Sequence, residues 1–285
     1  MTSPGSAKVA TLEAPKWRAD HFTPRALTSA LAAIASGHMI CGTDEDEDTK
    51  EADMPKFQVT HDIIVTGSSA KLGAGYIAVS NCTLVHTAEG PMLFDVGGTV
   101  AREIIRQELK KRNLAPKDIT RVFLSHLHHD HSLNIDMFPK STKVFVSKAE
   151  WAYVDNPHPE DDWVPWLIKE QLRTYQLNLI EGAGELSAGL QYFAAPGHTP
   201  GCQALSFVDK DKKVVTLAGD AIKFPKEALR RRVDHSFDAP EIAAKSIDEI
   251  VRSSDVIVPG HFPTIYKIDG GITWDDSQYF PLVMR

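Results

Sequence analysis

Seven residues in this chain have the types and spacing needed to hold metal ions. The densest group is Ser125-His126-Leu127-His128-His129-Asp130-His131, which directly follows the apolar run Val122-Phe123-Leu124. A single residue separates His126 from His128, so one extended turn can aim both imidazoles at one point. Asp130 and His131 come next and can aim at a second point close by. Neutral imidazole and carboxylate are donors that zinc accepts at about 2.0–2.2 Å. Four such residues in so short a stretch form a pattern that an incidental polar loop rarely produces.

Three further residues repeat one arrangement, a ligand type beside glycine just beyond an apolar run. His198 lies in Pro196-Gly197-His198-Thr199-Pro200-Gly201, after Tyr192–Ala195. Asp220 lies in Ala218-Gly219-Asp220, after Val214–Leu217, and His261 lies in Pro259-Gly260-His261, after Val256–Val258. Glycine lets the backbone turn sharply and approach closely. Alone, His198 or His261 reads as structural and Asp220 as a cap; the ordered recurrence points to chemistry. Two divalent ions about 3.5–4 Å apart would lower the pKa of a shared water toward 7 and give a metal-bridging hydroxide. Asp130 can hydrogen-bond that nucleophile and relay its proton. Zinc, two per chain, suits this imidazole-rich set, which also admits iron or manganese.

These residues must sit on strand ends. Phe57–Thr66, Gly75–Val85 and Pro91–Asp95 read as strands, and Thr99 as the N-cap of a helix running through Lys111. Ile119–Leu124 and Thr142–Ser147 read as buried strands. Leu190–Ala195, Gln203–Val208, Val214–Leu217 and Val256–Val258 follow, with a helix over Pro240–Arg252. Residues 150–182, containing Trp151, Tyr153, Trp163, Trp166 and Tyr175, read as irregular. Two sheet-rich halves, each closed by a helix and a strand, imply α/β architecture with two sheets face to face and helices outside.

The HxHxDH segment, followed in order by His198, Asp220 and His261, resembles the metallo-β-lactamase superfamily over roughly residues 57–265. The resemblance implies an αββα sandwich of two mixed β-sheets with helices on the outer faces and the site at one edge. It implies that His126, His128 and His198 hold one metal, that Asp130, His131 and His261 hold the other, and that Asp220 bridges them. Asp95, in Leu93-Phe94-Asp95-Val96-Gly97-Gly98, matches the superfamily's first motif and is expected to orient a ligand; a strand-end cap is its plainer role.

Within the superfamily, Asp220 argues against the zinc β-lactamases themselves, several of which place cysteine there. The short span from Asp220 to His261 has no room for the insert of the long RNA-processing nucleases. Cys202, where glyoxalase-II-like and lactonase-like chains often carry histidine, reads as a small core residue. Pro91–Gly98, Ala101-Arg102-Glu103, His126–Pro139 and Val256–Pro263 resemble the group of metallo-β-lactamase domain-containing protein 1 and its bacterial relatives. That likeness implies an RNA phosphodiester endonuclease. Against it stands the net charge of −7, with no basic stripe interleaved with aromatics. Lys223, Lys226, Arg230, Arg231 and Arg232 form a local basic cluster that reads either as a solvated loop or as an anion-facing rim. The favoured expectation is therefore hydrolysis of a small ester, lactone or thioester, with RNA the less favoured partner. A mononuclear iron persulfide dioxygenase, using only His126, His198 and Asp220, is the third alternative.

Hydrophobic residues make up 42% of the 285 and charged residues 24%, an ordinary globular balance. Residues 1–55, with the run Asp44-Glu45-Asp46-Glu47-Asp48, read as a flexible acidic extension carrying a short helix at 25–36, and 56–285 as the catalytic domain. Ala33-Ile34-Ala35 resembles a signal-peptidase site, but the long polar stretch before it contains Glu13 and Asp20, unlike a leader. With no apolar run long enough to span a bilayer and only three cysteines, none in CxxC spacing, a cytoplasmic location is expected. A homodimer is compatible with the chain.

Overall fold

The computed structural model describes residues 57–72, 75–275, 277 and 278. The acidic extension and the helix expected at 25–36 lie outside those residues. In chain order the first half contains β1 (Thr60–Val65), β2 (Ser68–Leu72), β3 (Gly75–Val79), β4 (Cys82–Thr87), β5 (Gly90–Phe94), α1 (Arg102–Lys111), β6 (Arg121–Phe123), α2 (His129–Ser132), β7 (Lys143–Ser147), α3 (Lys148–Tyr153), α4 (Ile168–Leu172) and β8 (Gln176–Ile180). The second half contains β9 (Gly184–Ser187), β10 (Leu190–Ala194), β11 (Gln203–Val208), β12 (Val214–Gly219), α5 (Pro225–Arg230), α6 (Pro240–Ser253), β13 (Val256–Pro259), β14 (Ile265–Ile268) and β15 (Gly271–Trp274).

Six strands form one mixed sheet in the order β1-β4-β5-β6-β7-β8, and seven form the other in the order β15-β14-β13-β12-β11-β10-β9. Side-chain alternation along each strand decides what each face buries. In β5, Met92 and Phe94 join Phe123, Leu205, Phe207, Val215 and Leu217 between the sheets. Leu93, between them, turns outward to the layer containing Ile105 and Leu109 of α1. On the opposite outer face, Ala243, Ile247 and Ile250 of α6 pack with Ala204 and Ala218. Each fully buried leucine or phenylalanine contributes about 1.5–3 kcal/mol of transfer free energy, which fixes the layers against one another. The architecture is the expected αββα sandwich.

Several local expectations need correction. The strand expected over Gly75–Val85 is two strands, broken at Ser80-Asn81 where the backbone leaves the hairpin. Thr99 does not cap α1. It opens a short 3-10 turn, Thr99–Ala101, and neither that turn nor α1 has a side-chain cap. Residues 150–182 are more regular than expected, holding most of α3, all of α4 and β8. Ser147 starts α3, its Oγ accepting the Glu150 N–H at 2.9 Å. β2, β9, β14, β15 and α5 were not anticipated. They are short, and the exposed strand faces carry little apolar periodicity.

Candidate metal centre

All seven sequence-nominated donors come from one edge of the sandwich, five from loops and two from the short helix α2. β6 ends at Phe123, and the chain bends at Ser125 and reaches His128 in extended conformation before α2 begins. Between the two histidines, Leu127 is fully buried in the outer core. Its neighbours His126 and His128 therefore point to the opposite side, into the site. Asp130 and His131 occupy the first turn of α2. His198 follows β10, Asp220 follows β12 and His261 follows β13.

Donor atoms converge in three groups, each spanning no more than 4.8 Å: His126, His128 and His198; His126, His131 and Asp220; and Asp130, His131 and His261. His198 Nε2 lies 3.0 Å from His128 Nδ1, and His131 Nε2 lies 3.4 Å from His261 Nε2. Asp220 stands between the sets. Its Oδ2 is 3.3 Å from His198 Nε2, while its Oδ1 is 3.1 Å from His131 Nε2 and 3.3 Å from His261 Nε2.

The far side of each ring settles which nitrogen faces inward. His131 Nδ1 meets Asp95 Oδ2 at 2.7 Å. His261 Nδ1 donates to Val79 O at 2.8 Å, and His198 Nδ1 to His235 O at 2.9 Å. His126 Nδ1 lies 3.0 Å from Ser125 Oγ, which in turn donates to Asp95 Oδ2. His128 is reversed: its Nε2 meets Asp161 Oδ2 at 3.0 Å, so Nδ1 is the inward atom.

These residues fit metal ions. Buried polar atoms are nearly always hydrogen-bonded, yet His126 Nε2 and Asp220 Oδ1 have no such partner among the described residues. Inward nitrogens face one another at hydrogen-bond distance while their outward nitrogens are already committed, as a shared cation requires. Burial, reinforced by His131 and His128, holds the His126 imidazole well below its ordinary pKa and hence neutral. Burial and Lys223 do the same for His198. Burial opposes ionisation of Asp220, but His261, His131 and His198 outweigh it and keep the carboxyl well below the usual range.

Residues 76–261 match the family model of the metallo-beta-lactamase superfamily. The chain belongs to that superfamily. Metallo-beta-lactamase domain-containing protein 1 of Xenopus laevis is 29% identical over 215 residues, covering 73% of this chain and 82% of that protein. An N-acyl homoserine lactonase of Bacillus sp. is 28% identical over 207 residues, covering 63% and 80%. A crystal structure of a quorum-quenching N-acyl homoserine lactone hydrolase superposes with a TM-score of 0.56 at 25% identity, covering 72% of this chain and 92% of that one. As a superfamily member with these hydrolase relatives, the chain is a metal-dependent hydrolase.

Asp95 lies between Ser125 and His131. Its Oδ1 accepts the Ser125 N–H at 2.7 Å, and its Oδ2 serves both Ser125 and His131. The backbone holds it at φ 57°, a left-handed conformation that Asp tolerates better than most residues. Asp161 was missed. It is fully enclosed, accepts from Tyr153 Oη at 2.6 Å and from the Trp163 N–H at 3.1 Å, and orients His128. Nothing in the acidic stretch Glu160-Asp161-Asp162 marked the middle residue as different. Asp161→Ala should lower metal affinity or turnover about 10–100-fold, as Asp95→Ala should, because each frees one ligand imidazole to rotate. Metal titration of both variants checks this, and wild-type affinity in Asp161→Ala would reduce its bond with His128 to packing.

Proposed function

We propose that the chain is a dinuclear zinc hydrolase acting on a small ester, lactone or thioester. His126, His128 and His198 would hold one ion, Asp130, His131 and His261 the other, and Asp220 would lie between. Five imidazoles and two carboxylates are donors suited to zinc. Convergence of all seven favours two ions over the mononuclear iron arrangement, which leaves His128, Asp130, His131 and His261 without a task. Bound divalent ions would supply Lewis-acid polarisation of the scissile carbonyl and a nucleophile of lowered pKa. Asp130 is placed to take up the nucleophile's proton. Its Oδ2 lies 3.4 Å from His261 Nε2. From Asp130 the proton can be returned to the leaving oxygen or sulfur.

The observation that carries the substrate class is the rim above the histidines, which is aromatic. Phe237 packs edgewise 5.8 Å from His128 and lies 5.8 Å from His198. Tyr76 meets Trp163 at 6.2 Å and His235 at 6.0 Å. Of the tryptophans in residues 150–182, Trp163 contributes here. Trp151 packs beneath Lys169 and Arg173, Tyr175 is buried in the outer core, and Trp166 is 92% exposed. Three of the five residues of the basic cluster are paired with acids. Lys223 is buried 3.6 Å from Glu227, Lys226 pairs with Asp234, and Arg231 pairs with Asp248 at 3.1 Å. RNA binding through several phosphates needs free clustered charge and would be steeply salt-dependent. The lactonase relatives point the same way.

Purified chain should carry close to two zinc ions and turn over members of a lactone, ester and thioester panel. Changing Lys226, Arg230, Arg231 and Arg232 together to Ala should leave that turnover intact. A single iron with oxygen-dependent chemistry would sink the hydrolytic reading. RNA cleavage abolished by the fourfold change, with no small-molecule turnover in either protein, would establish the nuclease.

A further inference from the structure

We propose that two separate polar clamps, Glu150 with Thr199 and Asn81 with Ser80, each hold one of the two three-donor sets, so that either set can be loosened without the other. The inference rests on the dinuclear reading, and neither clamp contributes a donor atom of its own.

The first clamp joins the loop of His126 and His128 to the loop of His198. Glu150, in the first turn of α3, has no exposed surface. Its Oε1 accepts the N–H of Leu127, the residue between the two histidines, at 2.9 Å. Its Oε2 accepts the hydroxyl of Thr199, the residue after His198, at 2.7 Å. Glu150 makes no ion pair among the described residues. A buried carboxylate carries a large desolvation cost unless both oxygens are satisfied, and here each one accepts from a different loop. The same turn is bound to the His198 loop once more, through Ser147 Oγ donating to Gly201 O at 2.7 Å. All these contacts fall on the loops that carry His126, His128 and His198, at Leu127, Thr199 and Gly201; none is made to Asp130, His131 or His261.

The second clamp is built at the break between β3 and β4. Ser80 Oγ donates to Asp130 O at 2.6 Å. Asn81 Nδ2 donates to Pro259 O and, at 2.8 Å, to Phe262 O, on either side of His261. The Asn81 N–H donates to Gly260 O at 2.7 Å, and Asn81 Oδ1 accepts the Gly67 N–H at 2.6 Å. Val79 O, one residue earlier, orients His261 itself. This cluster fixes Asp130 and His261 and touches neither His128 nor His198. Removing a partner from a buried network leaves the other group unsatisfied. The resulting disorder should stay within the loops that each clamp joins.

The test uses the full chain and cobalt(II), read by metal analysis against a graded chelator and by paramagnetic NMR. An ion held by His126, His128 and His198 shifts three imidazole N–H signals, and one held by Asp130, His131 and His261 shifts two. Glu150→Ala and Thr199→Val should weaken the three-imidazole ion about 10–100-fold and leave the other within about twofold. Asn81→Ala and Ser80→Ala should do the reverse. Glu150→Gln should rescue the first site. Its amide oxygen still accepts from Leu127, its NH2 can donate to Thr199 Oγ, and the Thr199 proton can turn to Cys202 Sγ at 3.1 Å. The hydroxyl deletions keep the test readable if either larger truncation fails to fold. Equal loss of both ions in all four variants, or loss in none, would overturn the clamps. A wild-type chain holding a single ion would remove the dinuclear reading and the clamps with it.

Discussion

Replacing Asp220 by alanine should strip both metal positions and lower turnover by more than about 10³-fold. The two carboxylate oxygens face different donor sets, Oδ2 toward His198 and Oδ1 toward His131 and His261. No other described carboxylate reaches both. Its neighbours also depend on its charge. Burial opposes protonation of the His131 imidazole, but Asp220, Asp95 and Asp130 outweigh it, and Asp220 has the largest share. Without that carboxylate the central negative charge that would offset two divalent cations is gone, and the neutral imidazoles cannot replace it. A loss of about 4 kcal/mol in transition-state stabilisation corresponds to roughly a thousandfold in rate. The control is His261→Ala, which touches one set only and should leave one ion bound. Metal content per chain and kcat/KM for both variants decide the matter. A full complement of metal in Asp220→Ala would show that the carboxylate does not lie between the ions.

The space Asp220 occupies is itself built by sequence. A Cβ on Gly260 would stand 2.0 Å from Asp220 Oδ1, so the Pro-Gly-His loop can close over the carboxylate only because glycine is there. This is why the pattern of strand, glycine and donor was legible before any coordinates. Each donor is set by a local event, the end of an apolar strand, and the loops meet because β6 of one sheet is stacked against the sheet that holds β10, β12 and β13. The residues that hold the donors were not legible in that way. Asp161 lies 33 positions from His128, and Asn81 lies 178 from Pro259. Their types are ordinary in polar stretches, and only folding shows which one is enclosed.

Two local signals were nonetheless present. Ser80-Asn81 interrupts an apolar run with consecutive polar residues, which fits a strand break better than a continuous strand through Val85. Ser147-Lys148-Ala149-Glu150 is the spacing of a capping box, in which Glu returns to the helix start. Here Ser147 keeps its half of the box, and Glu150 turns away to Leu127 and Thr199. The basic cluster was ambiguous for the opposite reason. Its neutralising partners Asp234 and Asp248 lie outside the cluster, and only the packing of α5 on α6 brings Arg231 to Asp248.

Gly201→Ala should destabilise the fold more than any other single-methyl addition in the site loops that leaves the φ/ψ preference undisturbed. Gly201 is not held at positive φ, so alanine faces no backbone penalty there. The obstacle is steric: its Cβ would lie 2.0 Å from Glu150 N and 2.3 Å from Glu150 Cα. Those are backbone atoms at the start of α3, pinned by Ser147 and by the Glu150 contacts, and they cannot swing aside as a side-chain tip would. Either α3 moves away from the His198 loop, breaking the Ser147 Oγ bond to Gly201 O, or the loop itself shifts and carries His198 with it. Overpacking typically costs about 1–3 kcal/mol, and an immovable neighbour places this case at or above the upper figure. For a domain of this size that is a fall in Tm on the order of 6–12 °C. Thermal unfolding of the chelated protein isolates the packing cost, and repeating it with zinc shows the effect on the site. Whether α3 or the loop yields, the Glu150 bond to Thr199 that joins them is disturbed, so the zinc-induced rise in Tm should shrink. An unchanged Tm in both conditions would mean that α3 and the Pro-Gly-His-Thr-Pro-Gly loop are not packed as closely as these distances state.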